Sequence, residues 1–177
     1  MPELKDKLKL IKLIVLDVDG VLTDGSIIYG DGKTDIKAFH VQDGFGITMA
    51  RHAGFKFAVL TGRVAEAVKR RVEELGFDFY ESGHFYKQDA LQGIINKAGL
   101  KKDEVLYMGD DILDLVCKPH VGVFAAPANA VERVKKEADW VLERKGGQAA
   151  VRLMIDGLLT AQGKLQTSED YFIGANE

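Results

Sequence analysis

The chain has 177 residues, 46% hydrophobic and 29% charged, which is the composition of a globular protein able to bury a core. A net charge of -3 argues against nucleic acid or an anionic membrane as a partner. No apolar run is long enough to span a bilayer, the N-terminus lacks a signal-peptide core, and a single cysteine, Cys117, excludes an intramolecular disulfide and fits a reducing cytoplasm.

Lys5, Lys7, Lys9 and Lys12 read as a solvated face leading into the apolar run Leu13-Ile14-Val15-Leu16, a buried strand. That strand runs out into Asp17-Val18-Asp19-Gly20-Val21-Leu22-Thr23-Asp24-Gly25. Alternate residues on a strand share a face, so Asp17 and Asp19 are expected to project together into one site. A solvated acidic loop is the plain alternative, but such a loop has no need of a buried strand aimed into it. Residues Ser26 to His40, with the turn Gly30-Asp31-Gly32-Lys33, predict a β-hairpin that leaves the sheet without an obvious core to join. Asp43 is placed to cap a helix running to about His52, closed by Gly54.

Phe57-Ala58-Val59-Leu60 predicts a second core strand ending at Thr61-Gly62-Arg63, followed by a helix with Val64, Ala67, Val68, Val72 and Leu75 on one face. A short strand around Phe79-Tyr80 leads to Lys87 and a helix closed by Gly99. Val105 to Met108 is the next strand, ending at Gly109-Asp110-Asp111, and the helix after it should stop at Lys118, before Pro119. Cys117 in that helix reads as a buried, inert thiol rather than a nucleophile. Val121 to Ala125 and Trp140 to Leu142 read as strands, Ala130 to Glu137 as a helix, and Gly146-Gly147 as opening a last helix to about Ala161. The tail from Gln162 to Glu177 has no clear period, and no repeat or linker breaks the chain. Alternating strands and helices predict one α/β domain over residues 1–177, a Rossmann-like, doubly wound, mainly parallel sheet with a protruding hairpin.

Asp17 and Asp19, Thr61, Lys87 and Asp110 all fall at or just beyond strand ends, where open parallel sheets bind ligands. Singly, each has a bland explanation: a strand-ending threonine, a surface lysine, acidic helix caps at Asp110 and Asp111. Their joint position is what points to a site. Asp17, Asp19, Asp110 and Asp111 supply hard oxygen ligands with too few neutral groups for a calcium cage, which favours Mg²⁺ completed by a substrate phosphate. Asp17 is then the candidate nucleophile forming an aspartyl-phosphate, and Asp19 the acid and base. Thr61, with backbone N–H groups, and Lys87 would hold the phosphoryl oxygens, Asp110 the metal, and Asp111 would stand behind it.

The DxDGV motif, the apolar strand ending in Thr61-Gly62, Lys87 and the late GDD motif together resemble the haloacid dehalogenase superfamily of phosphatases. The resemblance spans Leu13 to about Gly147 and implies a phosphoaspartate mechanism and Mg²⁺ dependence. Neither gap between motifs has room for the cap domain that most members carry. Excluding water and gripping a small substrate would then need a neighbouring subunit.

Finer stretches are DVDGVLTDG with the YGDG turn, His40-Val41-Gln42-Asp43-Gly44, Thr61-Gly62-Arg63, GDDILDL, Lys145-Gly146-Gly147 and Gln162-Gly163-Lys164. They are similar to a capless branch acting on 3-deoxy-D-manno-octulosonate 8-phosphate (KDO 8-phosphate), in lipopolysaccharide precursor synthesis. That branch implies a cytoplasmic homotetramer built on the hairpins, with C-terminal tails reaching neighbouring sites. It also implies substrate contacts from His40, Asp43, Gly44, Gly62, Arg63 and Arg71, besides Asp19 and Lys87. The substrate's carboxylate would need a second cationic group; Arg63 is well placed, while Arg71 is read equally well as a solvated helix charge. Gln148 and Leu153 depart from the pattern in the loop before the tail.

A sister branch acting on nine-carbon ulosonate 9-phosphates tends to carry glutamate where this chain has Arg63. A phosphoacceptor receiver domain also uses Asp, Thr and Lys, but its phosphorylated Asp ends a middle strand rather than the first core strand. Gly32-Lys33-Thr34 mimics the end of a P-loop, yet Ile27 stands at the required first glycine and the context is a hairpin.

Overall fold

A computed structural model describes residues 3–31 and 35–175. Gly32-Lys33-Thr34, the P-loop mimic, lies outside the described residues. Six parallel strands form the sheet: β1 (Leu13–Leu16), β4 (Lys56–Thr61), β5 (Phe79–Ser82), β6 (Val105–Met108), β7 (Val123–Ala126) and β8 (Trp140–Val141). Their order is β5-β4-β1-β6-β7-β8. From β1 the chain winds outward through β4 and β5, then crosses back to β6 and winds the other way. The strand order therefore reverses beside β1, and the carboxyl ends of β1, β4 and β6 surround a crevice there.

Both faces of the sheet are covered, so β1 and β6 are buried at every position. Ile14, Leu16, Leu106 and Met108 face the layer that includes helices α2 (Val41–His52) and α6 (Ala150–Ala161). Leu13, Val15, Val105 and Tyr107 face the opposite layer, with α4 (Gln88–Ala98), α5 (Glu132–Glu137) and a 3₁₀ segment, Ile112–His120. The hairpin is a separate two-stranded ribbon, β2 (Ile28–Tyr29) against β3 (Asp35–Ile36). Among the described residues, no helix is long and apolar enough to cross a membrane.

Several local readings change. The lysine-rich start is a helix, α1 (Leu4–Leu10), because Leu4 and Leu8 fall one turn apart and pack on the core while the lysines stay outside. His40, not Asp43, caps α2: its Nδ1 accepts the Gln42 N–H at 3.3 Å, and Asp43 sits buried inside the first turn. Pro119 lies within the 3₁₀ segment, near its end, where a missing N–H costs little. The strand expected over Val121–Ala125 begins at Val123, and the last long helix begins at Ala150 rather than at the glycine pair. The tail forms α7 (Leu165–Phe172), laid against α2, where Tyr171 stacks on His52 with ring centroids 3.7 Å apart. Its aromatic residues follow one another, so the stripe that a period search needs is absent. Cys117 is buried, and burial pushes its thiol up to about 12.

Candidate active site

A cavity of about 330 Å³ opens at the reversal point, walled by Asp17, Asp19, Thr61, Gly62, Arg63, Lys87, Asp110 and Asp111, with Asp114 behind them. Eight residues singled out from the sequence thus meet in one place. Asp17 leaves the end of β1 and donates its N–H to the Met108 carbonyl of β6 at 3.0 Å, so two adjacent strands aim it. Thr61 ends β4, and its Oγ1 accepts the Arg63 N–H at 3.3 Å. Lys87 precedes α4 and is buried; its Nζ donates to Asp17 Oδ1 at 2.7 Å and to Asp114 Oδ1 at 2.6 Å.

The turn after Asp19 is possible because residue 20 is glycine. Its φ is +85°, and a Cβ there would lie 2.0 Å from Asp110 Oδ2. Gly146 has a matching reason, since its Cβ would meet the Gly20 carbonyl oxygen at 1.9 Å. Asn129 joins these loops, donating to the Gly20 carbonyl at 2.9 Å and accepting the Gly146 N–H at 2.6 Å. The glycine pair therefore braces the turn after Asp19 instead of starting a helix.

Carboxylates of Asp17, Asp110 and Asp114 offer oxygens that all lie within 4.8 Å of one another. Burial pushes the Asp17 carboxyl up to about 7 against the pull of Lys87, and Asp114 adds to the rise. Burial, then Asp17, Asp114 and Asp111, push Asp110 to about 7 as well. Burial works against the Lys87 ammonium, but Asp17 and Asp114 together outweigh it and hold its pKa above the usual range. Three carboxylates around one ammonium leave an excess of negative charge that a divalent cation would relieve.

The donor set fits such a cation. Both oxygens of Asp114 are engaged: Oδ1 accepts from Lys87 and from the Tyr107 hydroxyl, and Oδ2 from the Asp110 and Asp111 N–H groups at 3.0 and 3.2 Å. Asp17 Oδ2 and the Asp110 carboxylate remain for a metal. Two hard carboxylates with room for water and phosphate suit Mg²⁺ better than a closed cage.

Asp19 and Asp111 stand apart from this cluster. β1 ends at Leu16, so strand alternation does not extend to Asp19. Its carboxylate instead meets Lys37 Nζ, delivered by the hairpin, at 2.5 Å, with Arg63 Nε 3.8 Å away. Arg63 also bonds Asp35 of β3 at 2.9 Å. Asp111 is exposed and accepts the Ile112 N–H at 2.6 Å, capping the 3₁₀ segment.

His40, Asp43, Gly44 and Arg71 do not wall the cavity. Asp43 is 2% exposed; its Oδ1 accepts the Arg152 N–H at 2.7 Å while Oδ2 has no partner, and burial raises its pKa. It serves the first turn of α6, whose own N-cap, Ala149, has no oxygen to offer. Gly44 gives passage to Arg71, whose Nη2 would lie 2.2 Å from a Cβ at that position. Arg71 pairs with Glu74 at 2.9 Å and lines a neighbouring cleft of about 430 Å³, together with Lys37, Phe39 and Arg70.

Asp114, Tyr107, Asn129 and Lys37 are site residues that the sequence reading missed. The late motif is in fact Gly109-Asp110-Asp111-Ile112-Leu113-Asp114, and a third acid one turn after a capping Asp was the available signal for Asp114. Nothing local marks the other three.

No protein-family model matches the chain. The 3-deoxy-D-manno-octulosonate 8-phosphate phosphatase of Haemophilus influenzae is 40% identical over 161 residues, 91% of this chain and 89% of that protein. The cobalt-bound structure of the Haemophilus influenzae phosphatase superposes with a TM-score of 0.88 at 41% identity, covering 91% of this chain and 94% of that one. A Moraxella catarrhalis phosphatase of the same name, in complex with magnesium, phosphate and KDO, superposes with a TM-score of 0.91 at 36% identity. It covers 95% of this chain and 97% of that one.

Proposed function

This chain belongs to the 3-deoxy-D-manno-octulosonate 8-phosphate phosphatase family, phosphoric monoester hydrolases of the haloacid dehalogenase superfamily, and we propose that KDO 8-phosphate is its own substrate. The observation that carries the chemistry is a buried carboxylate, Asp17, held by Lys87 and clustered with the Asp110 and Asp114 carboxylates at the reversal point of the sheet. Its cofactor is Mg²⁺, which Asp17 and Asp110 would hold; when bound it offsets the charge that keeps a carboxylate from approaching a phosphate dianion.

The Asp17 carboxylate attacks phosphorus, forming an acyl phosphate as the bond to the sugar oxygen breaks. Asp19 gives its proton to the departing alkoxide; it later takes one from the water that attacks the aspartyl-phosphate, releasing inorganic phosphate and restoring Asp17. Lys87 holds Asp17 in place and neutralises charge on the transferring group, while the Thr61 hydroxyl and the Gly62 N–H orient its equatorial oxygens. Lys37 and Arg63 aim Asp19, and Arg63 stands ready for the substrate's carboxylate.

The same reading takes the chain as one capless domain of a cytoplasmic homotetramer in lipopolysaccharide precursor synthesis. Ile27, Ile28, Tyr29 and Ile36 support the assembly, since the hairpin leaves all four about half or more exposed. Phosphate release with Mg²⁺ is the test, comparing KDO 8-phosphate with nine-carbon ulosonate 9-phosphates and common sugar phosphates. The expected result is a kcat/KM for KDO 8-phosphate at least about tenfold above the others. Equal or better turnover of a nine-carbon substrate would overturn the assignment.

A further inference from the structure

Tyr107 is the third residue of β6, fully buried, and is not part of the cavity wall. It lies on the sheet face toward α4 and the 3₁₀ segment, so its phenol reaches the site from behind. There its hydroxyl donates to Asp114 Oδ1 at 2.6 Å and accepts from Lys87 Nζ at 3.2 Å. An ammonium has three N–H groups, and those of Lys87 have three acceptors: Asp17 at 2.7 Å, Asp114 at 2.6 Å and Tyr107 at 3.2 Å.

Packing does not explain the hydroxyl. The ring stacks on Phe124 with centroids 5.6 Å apart, which phenylalanine would do equally well. A buried O–H is costly unless it is paired, so its place here is set by what it bonds. Burial and the nearby Asp114 charge raise the phenol's pKa well above its usual value, so it stays a donor. Two carboxylates alone leave a four-carbon lysine stem free to pivot about the line between them, and a third contact removes that freedom.

We propose that Tyr107 is a positioning residue, holding the Lys87 ammonium at the angle from which it serves Asp17 and the transferring phosphoryl group. The inference rests on the phosphatase reading given above. Its test is a cycle of Y107F, K87M and the double variant, assayed with Mg²⁺ on p-nitrophenyl phosphate, whose good leaving group keeps residual turnover measurable.

Y107F should lower kcat by about tenfold while KM stays within about twofold. In the K87M background the same change should have no further effect, because nothing remains for Tyr107 to position. Equal losses in both backgrounds, or no loss in Y107F, would overturn the proposal. A second readout needs no turnover: the ¹⁵N-ammonium resonance of Lys87, identified by its absence in K87M, should shift or broaden in Y107F without metal. An unchanged resonance in folded Y107F also overturns it. Absence of phosphatase activity in the unaltered protein would instead overturn the functional reading, leaving the resonance to judge Tyr107.

Discussion

Two sets of ion pairs face the same cavity, and they are built differently. Lys87, Asp17 and Asp114 are anchored on β1, on the residue leading into α4 and on the 3₁₀ segment, with side chains 2–9% exposed. Lys37, Asp19, Arg63 and Asp35 hang between the catalytic turn and the hairpin, with Asp19 at 24% and Arg63 at 42%. In the first set every partner is fixed by the packed sheet, and low dielectric makes each contact strong and each loss expensive. In the second, Lys37 is itself buried, but Asp19, Arg63 and Asp35 reach water that screens their charges, and the hairpin lies outside the core, so these partners can be exchanged for a ligand at smaller cost. On the proposed function, the phosphoryl chemistry falls to the first set, and substrate handling and assembly to the second.

The sharpest way to break this contrast is Asp17→Asn. It is nearly isosteric and should leave the far-ultraviolet dichroism unchanged while lowering phosphate release by more than about a thousandfold. A folded variant with appreciable turnover would remove Asp17 from the nucleophile's role.

A smaller effect should come from pH. Asp17 and Asp110 are raised to about 7 from an unfolded value of 3.8, so the folded chain keeps protons that the unfolded chain has already released. The contribution of these two groups to the stability of the metal-free protein is then fullest below pH ~4 and is lost as pH rises through about 7, with Lys87 charged throughout that window. Thermal melts in EDTA should show Tm dropping across that range, and Mg²⁺ should restore it near pH 7 by displacing the protons. A Tm that climbs across the window in EDTA would contradict the crowded-carboxylate account.

The smallest expected effect is that of Lys37→Ala. Stability should change by no more than about 1 kcal/mol in urea denaturation, as for a pair with one partly exposed member. Turnover should fall by less than about a hundredfold, since the acid–base role proposed for Asp19 would itself be worth roughly 10²–10⁴. If Lys37→Ala unfolds the protein, the hairpin belongs with the rigid set and the contrast is lost.

The sheet was legible because its strands are continuous apolar runs ending in turn residues, a signal that depends on neighbours in sequence. Where a period was lacking, as in the tail, packing against α2 supplied the helix instead. The early motif brings both Asp17 and Asp19 to one cavity, although the strand alternation that predicts it stops with β1 at Leu16 and the turn at Gly20 directs Asp19 instead. Likewise Asp43 looked like a local cap and proved to be a distant one, serving a helix 109 positions away.

The sequence by itself determined that Asp17, Thr61, Lys87 and Asp110 would meet at one edge, because strand ends in a parallel sheet converge whatever the loops do. Tertiary structure alone decided which carboxylates keep a free oxygen. Asp114 spends both of its oxygens on Lys87, Tyr107 and two backbone N–H groups, and Asp19 is turned toward the hairpin's Lys37. Hydrogen-bond capacity is shared among groups brought together from as far as 109 residues apart, so it becomes countable once they touch.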